Sequence, residues 1–243
     1  MMDKNVLQQL EELKKNYKKL KTIIAVSACL LMTGLLTLSF VRENKFGLIR
    51  AKGIIIEDET GRDRILIGAP IPPSKDRVRT DTALVRKFWA GKFRDPNQYM
   101  KWYASYKNSA EGIVFMNDKG FDVVQVGDNL SDANVGVRMF RSTGILWNTQ
   151  DGWERGGAGV NTTKDGKSRP VIGLDDDSGE AMHMVCLEDG SKALIIGDEN
   201  GSMRIGTASK EGELFQNKTR FTGVRYFDKT GKLVWEQQMN ATK

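Results

Sequence analysis

Residues 22–41, TIIAVSACLLMTGLLTLSFV, contain neither a charged residue nor a proline. The hydrocarbon core of a bilayer takes about 20 mostly apolar residues as a helix, and an isolated run can satisfy its own backbone in lipid only as a helix. The run predicts one transmembrane helix, dividing the chain into a tail, residues 1–21, and a long C-terminal domain, residues 42–243. That domain is long enough to bury a core without cross-links. The two cysteines, Cys29 and Cys186, fall in different segments, so no disulfide framework is expected.

The flanking charges orient the helix. Lys14, Lys15, Lys18, Lys19 and Lys21 crowd its start, whereas Arg42, Lys45, Arg50 and Lys52 follow it more sparsely. Positive residues stay on the cytoplasmic side. The tail is therefore expected in the cytoplasm and the large domain outside the cell membrane. A cleavable signal needs a short basic start and a small-x-small exit, but this tail is long and the run ends Leu38-Ser39-Phe40-Val41. Val26-Ser27-Ala28-Cys29 resembles a bacterial lipobox, yet only residues 22–25 precede it as an apolar region and the chain stays apolar after Cys29. An uncleaved signal anchor is the better reading.

Val6, Leu10, Leu13, Tyr17 and Leu20 are spaced as a heptad seam, which continues through Ile24, Ser27, Leu31, Gly34 and Leu38. One reading is a homo-oligomer joined through the tail and membrane helix, with small residues allowing close approach in the bilayer. The other is a basic amphipathic helix resting on the lipid surface.

Beyond residue 50 the periodicity changes. Ile54-Ile55-Ile56 runs through Asp58-Glu59-Thr60-Gly61 into Ile65-Leu66-Ile67-Gly68. Similar units centre on Asn117-Asp118-Lys119-Gly120, Lys164-Asp165-Gly166, Glu188-Asp189-Gly190 and Asp228-Lys229-Thr230-Gly231. In four units the turn glycine and a closing glycine lie seven apart: 61 and 68, 120 and 127, 166 and 173, 190 and 197. Glycine reaches positive φ freely and Asp or Asn caps such turns, so this is a repeated β-hairpin signature. A lone hairpin cannot bury its apolar face. The domain is read as mainly β, about ten to fourteen short strands in repeated hairpin units, forming a solenoid-like stack or an irregular sandwich. The units 54–68 and 112–127 resemble repeats of uncharacterised bacterial membrane-anchored proteins. The resemblance implies a bacterial source and transfers no activity and no functional residue. The stretch Trp153-Glu154-Arg155-Gly156-Gly157 departs from the pattern.

Residues 70–110 interrupt the repeat. Pro70-Ile71-Pro72-Pro73 closes the first unit, a helix is predicted over 80–90, and Asp95-Pro96 opens a second, to about residue 108. Tyr99, Trp102, Tyr103 and Tyr106 share one face of that helix. Nine basic residues in this insertion oppose only Asp76, Asp81 and Asp95. Arg86, Lys87, Trp89, Lys92, Arg94, Tyr99, Trp102 and Tyr103 are the candidate binding residues, suited to lipid head groups, an acidic envelope polymer or an acidic protein face. Nucleic acid is not expected outside the cytoplasm. The competing reading packs the aromatic stripe on the β core as a lid, with the cations solvated.

No catalytic set emerges. Asp175-Asp176-Asp177-Ser178-Gly179-Glu180 lacks EF-hand spacing and reads as an acidic turn. His183, the single histidine, reads as structural, Cys186 reads as a small buried hydrophobe, and neither a metal nor a cofactor is expected. Two functions remain: a non-enzymatic, membrane-anchored scaffold or binding module of the cell envelope, or an envelope polysaccharide hydrolase using clustered carboxylates. A groove in which several carboxylates converge would favour the second.

Overall fold

The computed structural model describes residues 4–40, 48–104, 106–136, 138 and 140–239, and within the first helix the side chains of residues 7–34. The chain divides into two units, Met1–Arg50 and Ala51–Lys243. The first contains one helix, α1 (Lys4–Phe40). Its seam residues Leu10, Leu13, Tyr17, Leu20, Ile24 and Leu31 are exposed. Val6 and Leu38 lie outside the described side chains. Thr22 and Thr33 donate their hydroxyls to the carbonyls of Lys18 and Cys29, one turn back, at 3.0 and 2.6 Å. Among the described residues no helix is long and apolar enough to cross a membrane. Residues 35–41, the end of the predicted span, lie outside the described side chains.

The second unit is a twelve-stranded antiparallel sheet: β1 (Gly53–Glu57), β2 (Asp63–Gly68), β3 (Glu111–Met116), β4 (Asp122–Asp128), β5 (Arg141–Asn148), β6 (Glu154–Thr162), β7 (Ser168–Asp175), β8 (Glu180–Cys186), β9 (Lys192–Asp198), β10 (Gly201–Ala208), β11 (Phe221–Asp228) and β12 (Leu233–Gln238). Strand order follows chain order throughout. The mainly β reading and its hairpin units are present. The expected stack or sandwich is replaced by one sheet, because each hairpin hydrogen-bonds edge to edge with the next.

The turns explain the repeat. The Asp58 carboxylate accepts from the backbone N–H groups of Thr60 and Arg62 at 2.9 and 3.2 Å, and Gly61 takes φ +78°. Asp228 does the same for Thr230 and Lys232, and Asn117 for Lys119 and Phe121. The extra residue appears as a register shift at Ile56/Glu57, Phe115/Met116 and Tyr226/Phe227. A further unit was hidden in the sequence. Thr149-Gln150-Asp151-Gly152 joins β5 to β6, with the Thr149 hydroxyl accepting from Trp153 N–H at 3.0 Å. Thr163 caps the turn at Gly166 in the same way, accepting from Lys167 N–H at 3.1 Å, and the glycine-rich stretch that follows Gly152 is simply strand β6.

Register then assigns every side chain to a face. On one face two rows cross all twelve strands. The first is Ile54, Ile67, Ile113, Val126, Ile145, Ala158, Ile172, Met184, Leu194, Ile205, Val224 and Gln237. The second is Ile56, Ile65, Phe115, Val124, Trp147, Gly156, Leu174, Met182, Ile196, Met203, Tyr226 and Trp235. Neither row carries a charge, and all but Gly156 are half-buried or exposed. The opposite face carries the row Gly53, Gly68, Gly112, Gly127, Gly144 and Gly159, resumed at Gly206 and Gly223. There a Cβ at Gly112 would meet the Val126 carbonyl oxygen at 2.0 Å, so the backbones come too close for any side chain.

The glycine-bearing face is covered at both ends. Over β2 to β5, Ile71, Ala110 and Leu130 pack on Leu66, Val114 and Leu146. Over β9 to β11, Phe215 packs on Ala193, Ile195 and Phe221. The insertion supplies Ile71 and Ala110 to the first cover, while its helices α2 (Thr82–Phe88) and α3 (Pro96–Tyr103) pack with Phe121 in a separate cluster. Each helix is capped by an aspartate, Asp81 or Asp95, whose side chain accepts from two N–H groups. The second helix is shorter than predicted, ending at Tyr103.

What fastens the insertion is an ion cluster whose three side chains are at most 1% exposed: Arg77, Arg79 and Asp122. Arg77 donates bidentately to Asp122 at 2.9 and 2.8 Å, and Arg79 Nε donates to it at 3.0 Å. Arg79 also donates to the carbonyls of Asp132 and Ala133 at 3.0 and 2.9 Å and lies 5.1 Å over the Trp89 ring. Burial by itself would raise the Asp122 carboxyl, but the two guanidiniums outweigh it and hold the group below the ordinary carboxylate range. Asp122→Asn strips the charge between two buried cations, and breaking such a pair costs about 3–5 kcal/mol. Urea unfolding should show a loss of that size; a loss below about 1 kcal/mol would mean that the cluster does not anchor the insertion.

Candidate functional site

The structure sorts the eight predicted binding residues into two groups. Trp89, Tyr99 and Tyr103 are buried, which removes them from any contact surface. They form an aromatic cluster with Phe93 and Phe121. Their polar atoms point inward: Trp89 donates to the Asp151 carbonyl at 2.8 Å, Tyr99 to Asn134 at 2.7 Å and Tyr103 to Arg79 at 2.8 Å. Burial pushes the Tyr99 hydroxyl up to about 12. A stripe at helical spacing is here a packing stripe. Arg77 and Arg79, counted as exterior charge in the sequence, are buried too.

Arg86, Lys87, Lys92, Arg94 and Trp102 are exposed. Arg86 donates to Asn97 at 3.1 and 3.2 Å, Lys87 lies 5.1 Å over Phe88, and Lys92 pairs with Asp151 and lies 4.8 Å over Trp153. The outer surface of the insertion is thus cationic, with Trp102 set edge-on to Phe93.

A second feature was invisible in the sequence. Between the two covered ends of the glycine-bearing face lies a groove of about 350 Å³ across β5 to β8. Gly157, Gly159 and Gly173 line it, together with Arg138, Glu154, Asp175, Glu180 and His183. Glu154 stands at the start of β6, Asp175 at the end of β7 and Glu180 at the start of β8, so the acidic turn delivers two carboxylates and the neighbouring strand a third. Glu154 is buried and takes both oxygens to Arg138 Nη2 at 2.6 and 2.7 Å, while Ala133 N–H donates to it at 3.1 Å. Toward the other end, Arg169 donates to Glu188 at 2.8 to 3.2 Å.

Asp175 is the perturbed group. Burial foremost, then the Glu154 and Glu180 carboxylates, push it up to about 6, with Arg138 opposing. His183 points into this groove from the middle of β8 rather than into a core, and Cys186, expected to be buried, is exposed. Among the described residues no group of three or more His, Cys, Asp or Glu side chains could hold a metal ion.

No protein-family model, curated protein or solved structure matches the chain.

The Asp175 shift has a stability consequence. An unfolded aspartate titrates near 3.9, whereas the folded one keeps its proton to about 6. Between those values the native state binds more protons, so stability falls as pH rises through about 4 to 6 and stays reduced above. Asp175→Asn removes this loss. Thermal melts should show the variant gaining stability on wild type at pH 7.5 and the gap closing at pH 4; a gap independent of pH would contradict the raised acid.

Proposed function

We propose that this chain is a non-enzymatic scaffold or binding module of the cell envelope, anchored in the membrane by residues 22–41 with its sheet domain outside. The observation that carries the reading is the sheet face with two uncharged rows running unbroken over twelve strands and left uncovered. Exposed apolar area on that scale marks an interaction surface. Arg86, Lys87, Lys92, Arg94 and Trp102 add a cationic patch suited to an anionic envelope polymer or an acidic protein face. The anchor rests on the uncharged run and its preceding lysines. The hydroxyls of Thr22 and Thr33, satisfied within the helix, fit an apolar surrounding.

One observation favours a second reading, the polysaccharide hydrolase. Glycoside hydrolysis uses two carboxyl groups, one kept protonated by its surroundings. Glu154, Asp175 and Glu180 share one groove, with Asp175 raised to about 6. Against it, the groove is small, and among the described residues Phe140 and the His183 imidazole are its only aromatic lining groups, which leaves little stacking surface for a sugar chain.

The test combines location with turnover. The full chain, expressed in a bacterium, should stay in the membrane pellet through alkaline carbonate, and deletion of residues 22–41 should release it. The purified chain should liberate no reducing ends from cell-wall glycan. Release of wild type by carbonate would remove the anchor. Glycan cleavage abolished by Asp175→Asn would replace the scaffold with the hydrolase.

A further inference from the structure

We propose that the apolar sheet face is covered by the same face of a second copy of this chain. The inference rests on the scaffold reading and names the partner that reading leaves open.

The first argument is extent. Twelve strands at about 4.8 Å spacing and two side-chain rows along each strand make a strip roughly 53 Å by about 14 Å, on the order of 750 Å². A stable interface buries about 800 Å² per partner, and the largest apolar patch on an ordinary monomer is about 300–600 Å². The strip matches the first figure and exceeds the second. Its centre is well exposed: Ile172 is 46% and Met184 53% accessible.

The second argument is chemistry. An uncharged strip has no charge pattern by which a particular foreign partner would be selected, and nothing in it repels an identical strip. The same two rows recur on every strand, so the face is complementary to itself, as a two-fold interface requires. Two sheets with equal twist pack face to face about 10 Å apart with their strands near −30°. That arrangement would complete, between chains, the two-layer packing that the single sheet lacks within one. The open groove of about 640 Å³ at Ala158, Ile172, Met184, Leu194 and Ile205, with Lys192 in its lining outside the two rows, supplies relief for interdigitation.

The third argument is the heptad seam of α1, whose residues Leu10, Leu13, Tyr17, Leu20, Ile24 and Leu31 are exposed. A second, independent pairing element on the same chain raises the effective concentration of one sheet for another.

The experiment measures the mass of the detergent-solubilised full chain by light scattering, for wild type, for Ile172→Asp/Met184→Asp and for Leu13→Lys/Leu20→Lys in the seam. The proposal expects a wild-type oligomer whose mass falls when the face variant is made, at unchanged far-UV circular dichroism. If that variant loses its sheet signal, Ile145→Lys on β5 gives the same reading. A wild type that is monomeric at all concentrations overturns the proposal and leaves the face to lipid or a foreign protein. An oligomer insensitive to the face variants but lost in the seam variant also overturns it, because the helix alone then assembles the chain. None of these outcomes touches the scaffold reading, which glycan cleavage would defeat whatever the mass.

Discussion

Every strand in this sheet pairs with its neighbours in the chain, and that single constraint carries the alternation of side chains unbroken from β1 to β12. A one-residue slip anywhere would turn a strand's apolar set to the wrong face. The capped turns prevent the slip. Each Asp or Asn that accepts two N–H groups fixes where its hairpin reverses, and the bulge beside it absorbs the odd residue before the next strand begins. The two apolar rows and the glycine row are therefore products of the same local chemistry repeated, and neither needs a long-range instruction.

The two faces part company because of what the loops bring. The insertion between β2 and β3 is fastened by Arg77 and Arg79 closing on Asp122, and the aromatic cluster grows around that anchor. The loop between β10 and β11 lays Phe215 over the other end. Both covers fall on the glycine-bearing face. Its middle strands, β6 to β8, stay open and receive the carboxylates of Glu154, Asp175 and Glu180. The groove is thus the gap between two covers, floored by glycines that lack side chains to fill it.

What could be read from the sequence follows from how local each feature is. Asp58 and Gly61 lie three residues apart, and so do Asn117 and Gly120, so the hairpins were legible. The Asp95-Pro96 start of α3 was legible for the same reason. That the hairpins join edge to edge depends on pairing between units, which no short motif encodes. The stripe of Tyr99 and Tyr103 was visible as a stripe, but its burial depended on where Phe121 and Asp151 would stand. The groove was hidden more deeply still. Glu154 lay in a glycine-rich stretch that departs from the repeat, although Asp151-Gly152 before it matches Asp165-Gly166 of a unit that was legible, and Asp175 read as one member of an ordinary acidic turn.

The sheet is one layer thick, so its two faces can serve different purposes without competing. Burying the apolar rows against a partner would leave the groove, with Asp175 and Glu180, open on the far side. Arg86, Lys87 and Arg94 lie on the insertion, outside the two apolar rows, and would stay exposed too. Acidic groove and cationic insertion would then be displayed together, while the apolar side is consumed in assembly. A chain built this way would gain a second packing layer on that face from association, which fits two uncharged rows carried across all twelve strands, with Glu111, Asp128, Arg141 and Lys192 on the same face held to flanking positions. In a free monomer that apolar strip would be an aggregation liability; across an interface it becomes a further core beside those on the opposite side of the sheet.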